Sequence, residues 1–280
     1  MSNRDLEGRF IVITGANTGI GRVTAETLAA RGANVLLACR SEERTTPVVE
    51  AIRAAGGKAQ FMELDLGELA SVRTCATKIL DLDLPIDILI NNAGLAGKRG
   101  LTKDGFEITF GTNHLGHFLF TVLLAPRLRT AKNARVVTVS SKAHYEAKTG
   151  IDYSILRNST ASISGLPEYG VSKLANIFFT KELARRLEGV HTYALHPGVV
   201  ASDVWRQVPW GVRSFMKLFM LSNEDGAKTN LYCATSPAVA SENGLYYDSC
   251  KEKTPSSIAR DPAKARELWE KSVEYVDADL

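Results

Sequence analysis

The chain has 280 residues, of which 45% are hydrophobic and 23% are charged. This composition suits a globular protein with a sizeable core, and it excludes the collagen-like and intrinsically disordered classes. The 34 basic and 31 acidic residues are scattered and leave a net charge of only +3, so we expect no nucleic-acid partner.

Most of the chain alternates short apolar runs with longer stretches of helical period. Strands are predicted at residues 10–14, 34–39, 59–64, 86–90, 135–139 and 192–195. Most of these runs are rich in Val, Ile and Leu without polar alternation, which is typical of parallel strands covered on both faces. The pattern predicts an α/β fold, a single doubly wound Rossmann-type domain over residues 1–280 with helices on both faces of a parallel sheet.

The C-terminal part departs from this alternation. Residues 204–221 hold Trp205, Trp210 and several Phe and Met residues interleaved with basic ones. A helix at 223–235, a strand at 244–247 and a closing helix at 262–276 are predicted after it. So much apolar surface must be covered, and a packed helix pair, a subunit contact and peripheral membrane contact are three ways to cover it.

The cysteines and the hydropathy profile bear on the compartment. Cys39, Cys75, Cys233 and Cys250 lie far apart and form no C-x-x-C pair, which favours a reducing compartment. No segment approaches the roughly 18 uninterrupted apolar residues of a membrane-spanning helix, and the N-terminus has no apolar signal region. We expect a cytoplasmic protein without a transmembrane anchor, either a monomer or a homo-oligomer.

A glycine-rich turn directly follows the first predicted strand. The sequence T-G-A-N-T-G-I-G occupies residues 14–21 and leads into a helical stretch. Glycine lets the backbone turn tightly and approach a pyrophosphate, while the free N–H groups and the dipole of a helix start attract the anion. The motif predicts nucleotide binding; a tight turn without function is the alternative.

Further motifs follow in a fixed order. They are N-N-A-G at residues 91–94, Asn113 in the next helix, Ser140-Ser141 after strand five, Y-G-V-S-K at residues 169–173 and Pro197-Gly198 after strand six. Together with the spacing T-G-x-x-x-G-x-G, they resemble the short-chain dehydrogenase/reductase family over nearly the whole chain. The resemblance implies an oxidoreductase that transfers a hydride between a nicotinamide cofactor and a carbonyl or alcohol carbon.

Tyr169 and Lys173 are the candidate proton-transfer pair. They lie four positions apart on a stretch of helical period, 169–188, so both side chains project from one face. A phenol with a pKa of about 10 is a poor acid or base at neutral pH, and a nearby ammonium group would lower that pKa. An exposed helix pair is the alternative for Y-x-x-x-K alone.

The resemblance assigns roles to the predicted catalytic residues. It implies that Tyr169 donates or accepts the proton with Lys173 beside it, and that the Ser141 hydroxyl hydrogen-bonds the substrate oxygen. It implies that Asn113 holds a water in the proton relay through a helix kink. Ser140 is interpreted as structural.

The end of the second strand indicates which nicotinamide cofactor is used. A carboxylate there binds the ribose 2′-hydroxyl of NAD, whereas an arginine accommodates the 2′-phosphate of NADP. Cys39 occupies the acidic position and Arg40 follows it, so we predict NADP(H). The predicted cofactor-binding residues are Gly15, Asn17, Thr18, Gly19, Ile20, Gly21, Arg40, Asp65, Leu66, Asn92, Ala93, Gly94, Tyr169, Lys173, Pro197 and Gly198.

The histidines offer no metal site. His114, His117, His144, His191 and His196 form no H-E-x-x-H or similar ligand cluster, and the chemistry already has an acid and base. We therefore expect no metal ion. His196 is interpreted as a residue that shapes its loop, with contact to cofactor or substrate as the alternative.

Local motifs narrow the substrate class. A-C-R after strand two, N-H-L-G-H-F around Asn113 and H-P-G-V-V after strand six resemble the retinol dehydrogenase subgroup. That resemblance implies a small lipophilic partner, a carbonyl or alcohol of the retinoid, steroid or aldehyde class. Residues 204–221 follow Pro197-Gly198, where the substrate lid of the family begins, so we interpret them as a lid over this substrate. A non-catalytic NADP-binding regulatory protein is one alternative, although it would not need the predicted catalytic residues. A nucleotide-sugar epimerase or dehydratase is another, although its usual spacing is T-G-x-x-G-x-x-G.

Overall fold

The computed structural model describes residues 4–198 and 222–280. These residues form one eight-stranded sheet with helices packed on both faces. The predicted doubly wound α/β fold is therefore confirmed. The predicted lid, 204–221, lies outside the described residues.

The strands of this sheet pair in parallel except at one edge. They are β1 Phe10–Thr14, β2 Asn34–Cys39, β3 Lys58–Glu63, β4 Ile88–Asn91, β5 Ala134–Val139, β6 Val190–His196, β7 Leu245–Asp248 and β8 Lys251–Glu252. Their spatial order is β3-β2-β1-β4-β5-β6-β7-β8. The two-residue β8 pairs antiparallel with β7.

Alternate residues of the central strands belong to two separate cores. On β1, Phe10 and Val12 pack into one core, whereas Ile11 and Ile13 pack into the other. All of β1 is buried. Because successive side chains of a strand point to opposite faces, a strand covered on both faces needs an unbroken apolar run.

The helices divide between these two cores. They are α1 Gly19–Ala30, α2 Glu42–Ala54, α3 Leu69–Leu80, α4 Gly116–Thr130, α5 Leu166–Arg186, α6 Asn223–Thr235 and α7 Pro262–Val276. One face is covered by α1, α2 and α6, and the other by α3, α4, α5 and α7. Among the described helices, none is long and apolar enough to cross a membrane.

The helix α5, which carries Tyr169, begins and ends earlier than the predicted 169–188. Gly165 precedes it with a φ of +65°, and a proline occupies its first turn. The first-turn N–H groups have no partner within a helix, so a proline is tolerated there. The preceding stretch contains short 3₁₀ turns at Lys142–Glu146 and Tyr153–Ile155.

The order of the strands creates a crevice at one edge of the sheet. Because β1 lies between β2 and β4, the chain leaves β1 and β4 toward opposite sides. At such a switch point, the connections after the two strands diverge and leave space at their carboxyl ends. The glycine-rich turn follows β1 and N-N-A-G follows β4, so the fold brings these two motifs to the crevice.

Candidate active site

A cavity of about 1260 Å³ occupies this crevice. Its lining includes Ser141 and every predicted cofactor-binding residue, among them Tyr169 and Lys173. Asn113 does not line the cavity and is fully buried behind it. The fold therefore brings together residues that are widely separated in the sequence, with Asn113 one layer further in.

Two glycines allow the turn after β1 to pack closely on the turn after β4. Gly15 has a φ of +66°, and a Cβ atom there would lie 2.9 Å from Ala93 Cα. A Cβ atom at Gly21 would lie 2.4 Å from Asn92 Nδ2. Any larger side chain would therefore separate the two turns, which explains two of the glycines in the motif.

Thr14 and Asn92 hold these turns together. The Thr14 hydroxyl oxygen accepts hydrogen bonds from the backbone N–H groups of Asn92 and Ala93, at 3.0 and 2.9 Å. The Asn92 side-chain amide donates to the Thr14 carbonyl at 2.9 Å. Asn92 thus lines the cavity while its amide group is bonded to the neighbouring turn.

Tyr169 and Ser141 are in contact at the cavity wall. Tyr169 is 8% exposed. Burial raises the pKa of its phenol, and a hydrogen bond with the Ser141 side chain acts in the opposite direction. The Ser141 carbonyl accepts a hydrogen bond from His144 Nδ1 at 2.7 Å, which anchors the turn that carries the serine.

Lys173 lies one helical turn beyond Tyr169 and is almost completely buried. Its Nζ donates to the Val139 carbonyl at 2.9 Å and lies 5.5 Å from the centre of the Tyr169 ring. Burial lowers the pKa of Lys173 to about 7. The Ser140 hydroxyl donates to the Lys173 carbonyl at 2.7 Å, which agrees with a structural role for Ser140.

Asn113 lies in a π-helical turn, Gly111–Leu115, directly before α4. Its side-chain amide donates to the Leu95 carbonyl and to Ser172 Oγ, both at 3.0 Å, and its Oδ1 accepts from Leu95 N–H at 2.9 Å. A Cβ atom at Gly94 would lie 3.4 Å from both Asn113 Oδ1 and Lys173 Nζ. Asn113 therefore lies beside the loop after β4 and close to the buried ammonium group.

Cys39 and Arg40 differ in exposure at the end of β2. Cys39 packs into the core, where burial raises the pKa of its thiol. Arg40 is exposed and lines the cavity. Arg44 lines the same cavity from the first turns of α2. Two guanidinium groups therefore line this end of the site.

Comparison with known proteins identifies the family to which the chain belongs. The profile of the short chain dehydrogenase family matches residues 9–154. Retinol dehydrogenase 12 of Mus musculus is 43% identical over 98% of this chain and 88% of its own length. The chain belongs to the short-chain dehydrogenase family. Dehydrogenase/reductase SDR family member 13 of Bos taurus is also 43% identical, over 95% of this chain and 73% of its own length.

A solved structure extends this similarity to the fold. A crystal structure from Mycobacterium paratuberculosis matches with a TM-score of 0.79 at 34% sequence identity, covering 100% of this chain and 98% of that chain. The predicted resemblance to the family and to its retinol dehydrogenase-like members is confirmed. As a member of this family, the chain is an oxidoreductase that uses a nicotinamide cofactor and acts on CH–OH or C=O groups.

Sequence reasoning missed part of the cavity of this short-chain dehydrogenase. The missed lining residues include Ser41, Arg44, Lys98, Glu146 and Leu166. A signal existed for Arg44, because it is a second basic residue that follows the end of β2 within a few positions of Arg40. The others lie in irregular segments, in a 3₁₀ turn or at a helix start, where no periodicity indicates which side chains face a ligand.

Proposed function

We propose that the chain transfers a hydride between NADP(H) and the carbonyl or alcohol carbon of a lipophilic substrate of the retinoid, steroid or aldehyde class. The observation that carries this proposal is the position of Tyr169. Its ring is buried at the cavity wall, in contact with Ser141 and 5.5 Å from Lys173 Nζ. A positioned acid flanked by a cation and a hydroxyl suits proton transfer to a substrate oxygen.

The cavity fits a dinucleotide together with a substrate. Its volume of about 1260 Å³ exceeds the range of about 300–1,000 Å³ that is typical of small-molecule sites. The backbone N–H groups at the start of α1 would hold the pyrophosphate. Asp65 and Leu66 would contact the adenine end, and the loops after β4 and β6 would contact the nicotinamide end. When bound, the cofactor supplies or accepts the hydride.

Tyr169 would be the proton donor and acceptor. In the reducing direction, it donates its phenolic proton to the substrate oxygen while the carbon gains the hydride, and in the oxidising direction it takes the proton back. Burial keeps the phenol protonated until the developing alkoxide accepts the proton. The Lys173 ammonium group and the Ser141 hydroxyl would then stabilise the phenolate.

The arginines at the end of β2 support the preference for NADP(H). A 2′-phosphate needs cationic donors, and both Arg40 and Arg44 line the cavity there. Cys39, in the position where a carboxylate would repel the phosphate, is buried in the core. The geometry therefore favours the phosphorylated cofactor.

Arg40→Ala is expected to weaken NADPH binding by about 1.5–3 kcal/mol, or about 10- to 150-fold in Kd, through loss of a charged hydrogen bond. The Kd for NADH is expected to change less than about threefold, since NADH lacks the phosphate. Arg53→Ala, at the far end of α2, is the matched control. Titration of cofactor fluorescence measures all of these constants. Equal affinity of the wild type for NADPH and NADH would contradict the assignment.

The substrate class is supported by the cavity wall and by the relatives. Ala96, Ala147, Leu166 and Pro167 contribute apolar surface to the cavity. Several relatives at about 40% identity are named retinol dehydrogenases, for example human retinol dehydrogenase 11, which is 41% identical. Residues 204–221 remain a predicted lid over this part of the site.

A panel of carbonyls tests the proposed function. Purified protein with NADPH is offered retinal, steroid ketones and aliphatic aldehydes of increasing length, and oxidation of NADPH is followed by its absorbance. We expect turnover that increases with the length of the aldehyde and is faster with NADPH than with NADH. Tight NADPH binding without turnover of any carbonyl would contradict catalysis and would favour the regulatory alternative.

A further inference from the structure

His117 connects two parts of the site without lining the cavity. It lies in the first turn of α4 and is 1% exposed. Its Nδ1 is 3.0 Å from the Asn113 carbonyl oxygen, and its Nε2 is 2.9 Å from Thr14 Oγ1. Both ring nitrogens are therefore bonded, each to a different element.

The partners of His117 fix its protonation. A backbone carbonyl can only accept, so the hydrogen is on Nδ1 and Nε2 is the acceptor. Thr14 Oγ1 accepts from Asn92 N–H and Ala93 N–H, and its own hydrogen has two acceptors in reach, His117 Nε2 at 2.9 Å and the Ile90 carbonyl at 3.5 Å. The shorter distance favours the bond to Nε2. Burial lowers the pKa of His117 to about 4, and the nearby Lys173 acts in the same direction. The imidazole is therefore neutral at pH 7.

These bonds form a continuous chain from the turn after β4 to the π-helical turn. The chain runs from Ala93 N–H through the Thr14 hydroxyl and the His117 ring to the Asn113 carbonyl. Every link lies within 3.0 Å and is buried or partly buried. Because buried hydrogen bonds have few alternatives, the chain ties the orientation of that carbonyl to the position of the turn.

The side-chain amide of Asn113 already has hydrogen-bond partners, so the backbone carbonyl is the part of Asn113 that His117 can hold. Both of its N–H groups are used by Leu95 and Ser172, and Ser172 Oγ in turn donates to the Tyr169 carbonyl. Its amide thus joins the loop after β4 to α5, which carries Tyr169 and Lys173. His117 supplies the remaining tie, from the backbone of Asn113 to β1.

We propose that His117 is a positioning residue, which fixes the Asn113 carbonyl relative to the turn after β4 and thereby aligns Asn113 with Lys173 for the proton step. The inference rests on the proposed function of Tyr169 and Lys173. His117 itself touches neither substrate nor cofactor. Its effect is therefore on the rate of proton transfer, while the cofactor-binding residues keep their own contacts.

Three substitutions at His117 test its two hydrogen bonds individually. His117→Asn keeps an N–H close to the Nδ1 position, His117→Gln keeps a polar group close to the Nε2 position, and His117→Leu keeps neither. His114→Gln is the matched control, because His114 is equally buried in the π-helical turn, but its Nε2 bonds Ser272 Oγ on α7. Values of kcat are measured per folded site, counted by NADPH-binding stoichiometry.

We expect His117→Leu and His117→Gln to lower kcat about tenfold or more, with less than about threefold change in the Kd for NADPH, as for loss of one buried hydrogen bond. His117→Asn should lower kcat as well, because it loses the bond to Thr14 and so breaks the tie to β1. His114→Gln should lower the melting temperature without lowering kcat per folded site.

Wild-type kcat in His117→Gln, or an equal loss in His114→Gln and His117→Gln, would overturn the positioning role. If His117→Leu does not fold, the Asn and Gln variants still test the role, since both conserve a polar side chain and each removes one of the two bonds; wild-type kcat in both would overturn it. Tyr169→Phe is assayed in parallel. An active Tyr169→Phe refutes the proposed function itself, whereas an inactive Tyr169→Phe with an active His117→Gln refutes only the role of His117.

Discussion

Tyr169→Phe is expected to lower kcat by about 100- to 10,000-fold, which is the usual contribution of a general acid. The substitution removes only the phenolic hydroxyl and leaves the ring packed against the cavity wall. The Kd for NADPH and the melting temperature should therefore remain close to those of the wild type. Steady-state kinetics with the best carbonyl of the panel measure the loss.

Tyr246→Phe is the matched control for this experiment. Tyr246 is buried, and its hydroxyl has no hydrogen-bond partner among the described residues. Removing that hydroxyl should leave kcat unchanged. A Tyr169→Phe variant with near wild-type turnover, or an equal loss in Tyr246→Phe, would contradict the assignment of the proton donor.

Lys173→Met is expected to lower kcat about 100-fold or more and to raise the Kd for NADPH about tenfold. Methionine replaces the ammonium group and keeps much of the apolar stem, so the core around α5 should stay packed. The rate falls because the phenolate of Tyr169 loses its neighbouring cation. Binding weakens because the same group would hold the ribose hydroxyls of the cofactor.

The control for Lys173 lies on the same helix. Lys181 is partly buried on α5 but lies outside the cavity, so Lys181→Met should change neither constant. Kinetics and cofactor titration together test the dual role. A Lys173→Met variant altered only in the KM for the carbonyl would exclude it.

The bounds of the central strands could be predicted where hydrophobic burial decides them. Strands β1 and β2 have the predicted bounds because both of their faces are covered. The strand β3 was predicted at 59–64, but it runs from Lys58 to Glu63 because its pairing with β2 runs from Asn34 to Cys39. Its end residues are exposed, so hydrogen-bond register, rather than hydrophobicity, sets its ends.

The shared helix face of Tyr169 and Lys173 also followed from spacing alone. The environment of Asn113, by contrast, could not be predicted from the sequence. Its π-helical turn is held by bonds to Leu95 and to His117, and the partner of His117 is Thr14, 103 positions away in the chain. Such contacts depend on how the sheet and helices assemble, and no local pattern in the sequence indicates them.

The most direct measurement of the central claim uses NADPH that carries deuterium in both positions of the reactive nicotinamide carbon. The protein is incubated with this cofactor and the best carbonyl of the panel, and the alcohol is analysed by mass spectrometry. We predict one deuterium on the former carbonyl carbon, formed at the wild-type rate in Tyr246→Phe and at least about 100-fold more slowly in Tyr169→Phe. An alcohol without deuterium at that carbon, or one formed equally fast by Tyr169→Phe, would contradict the account.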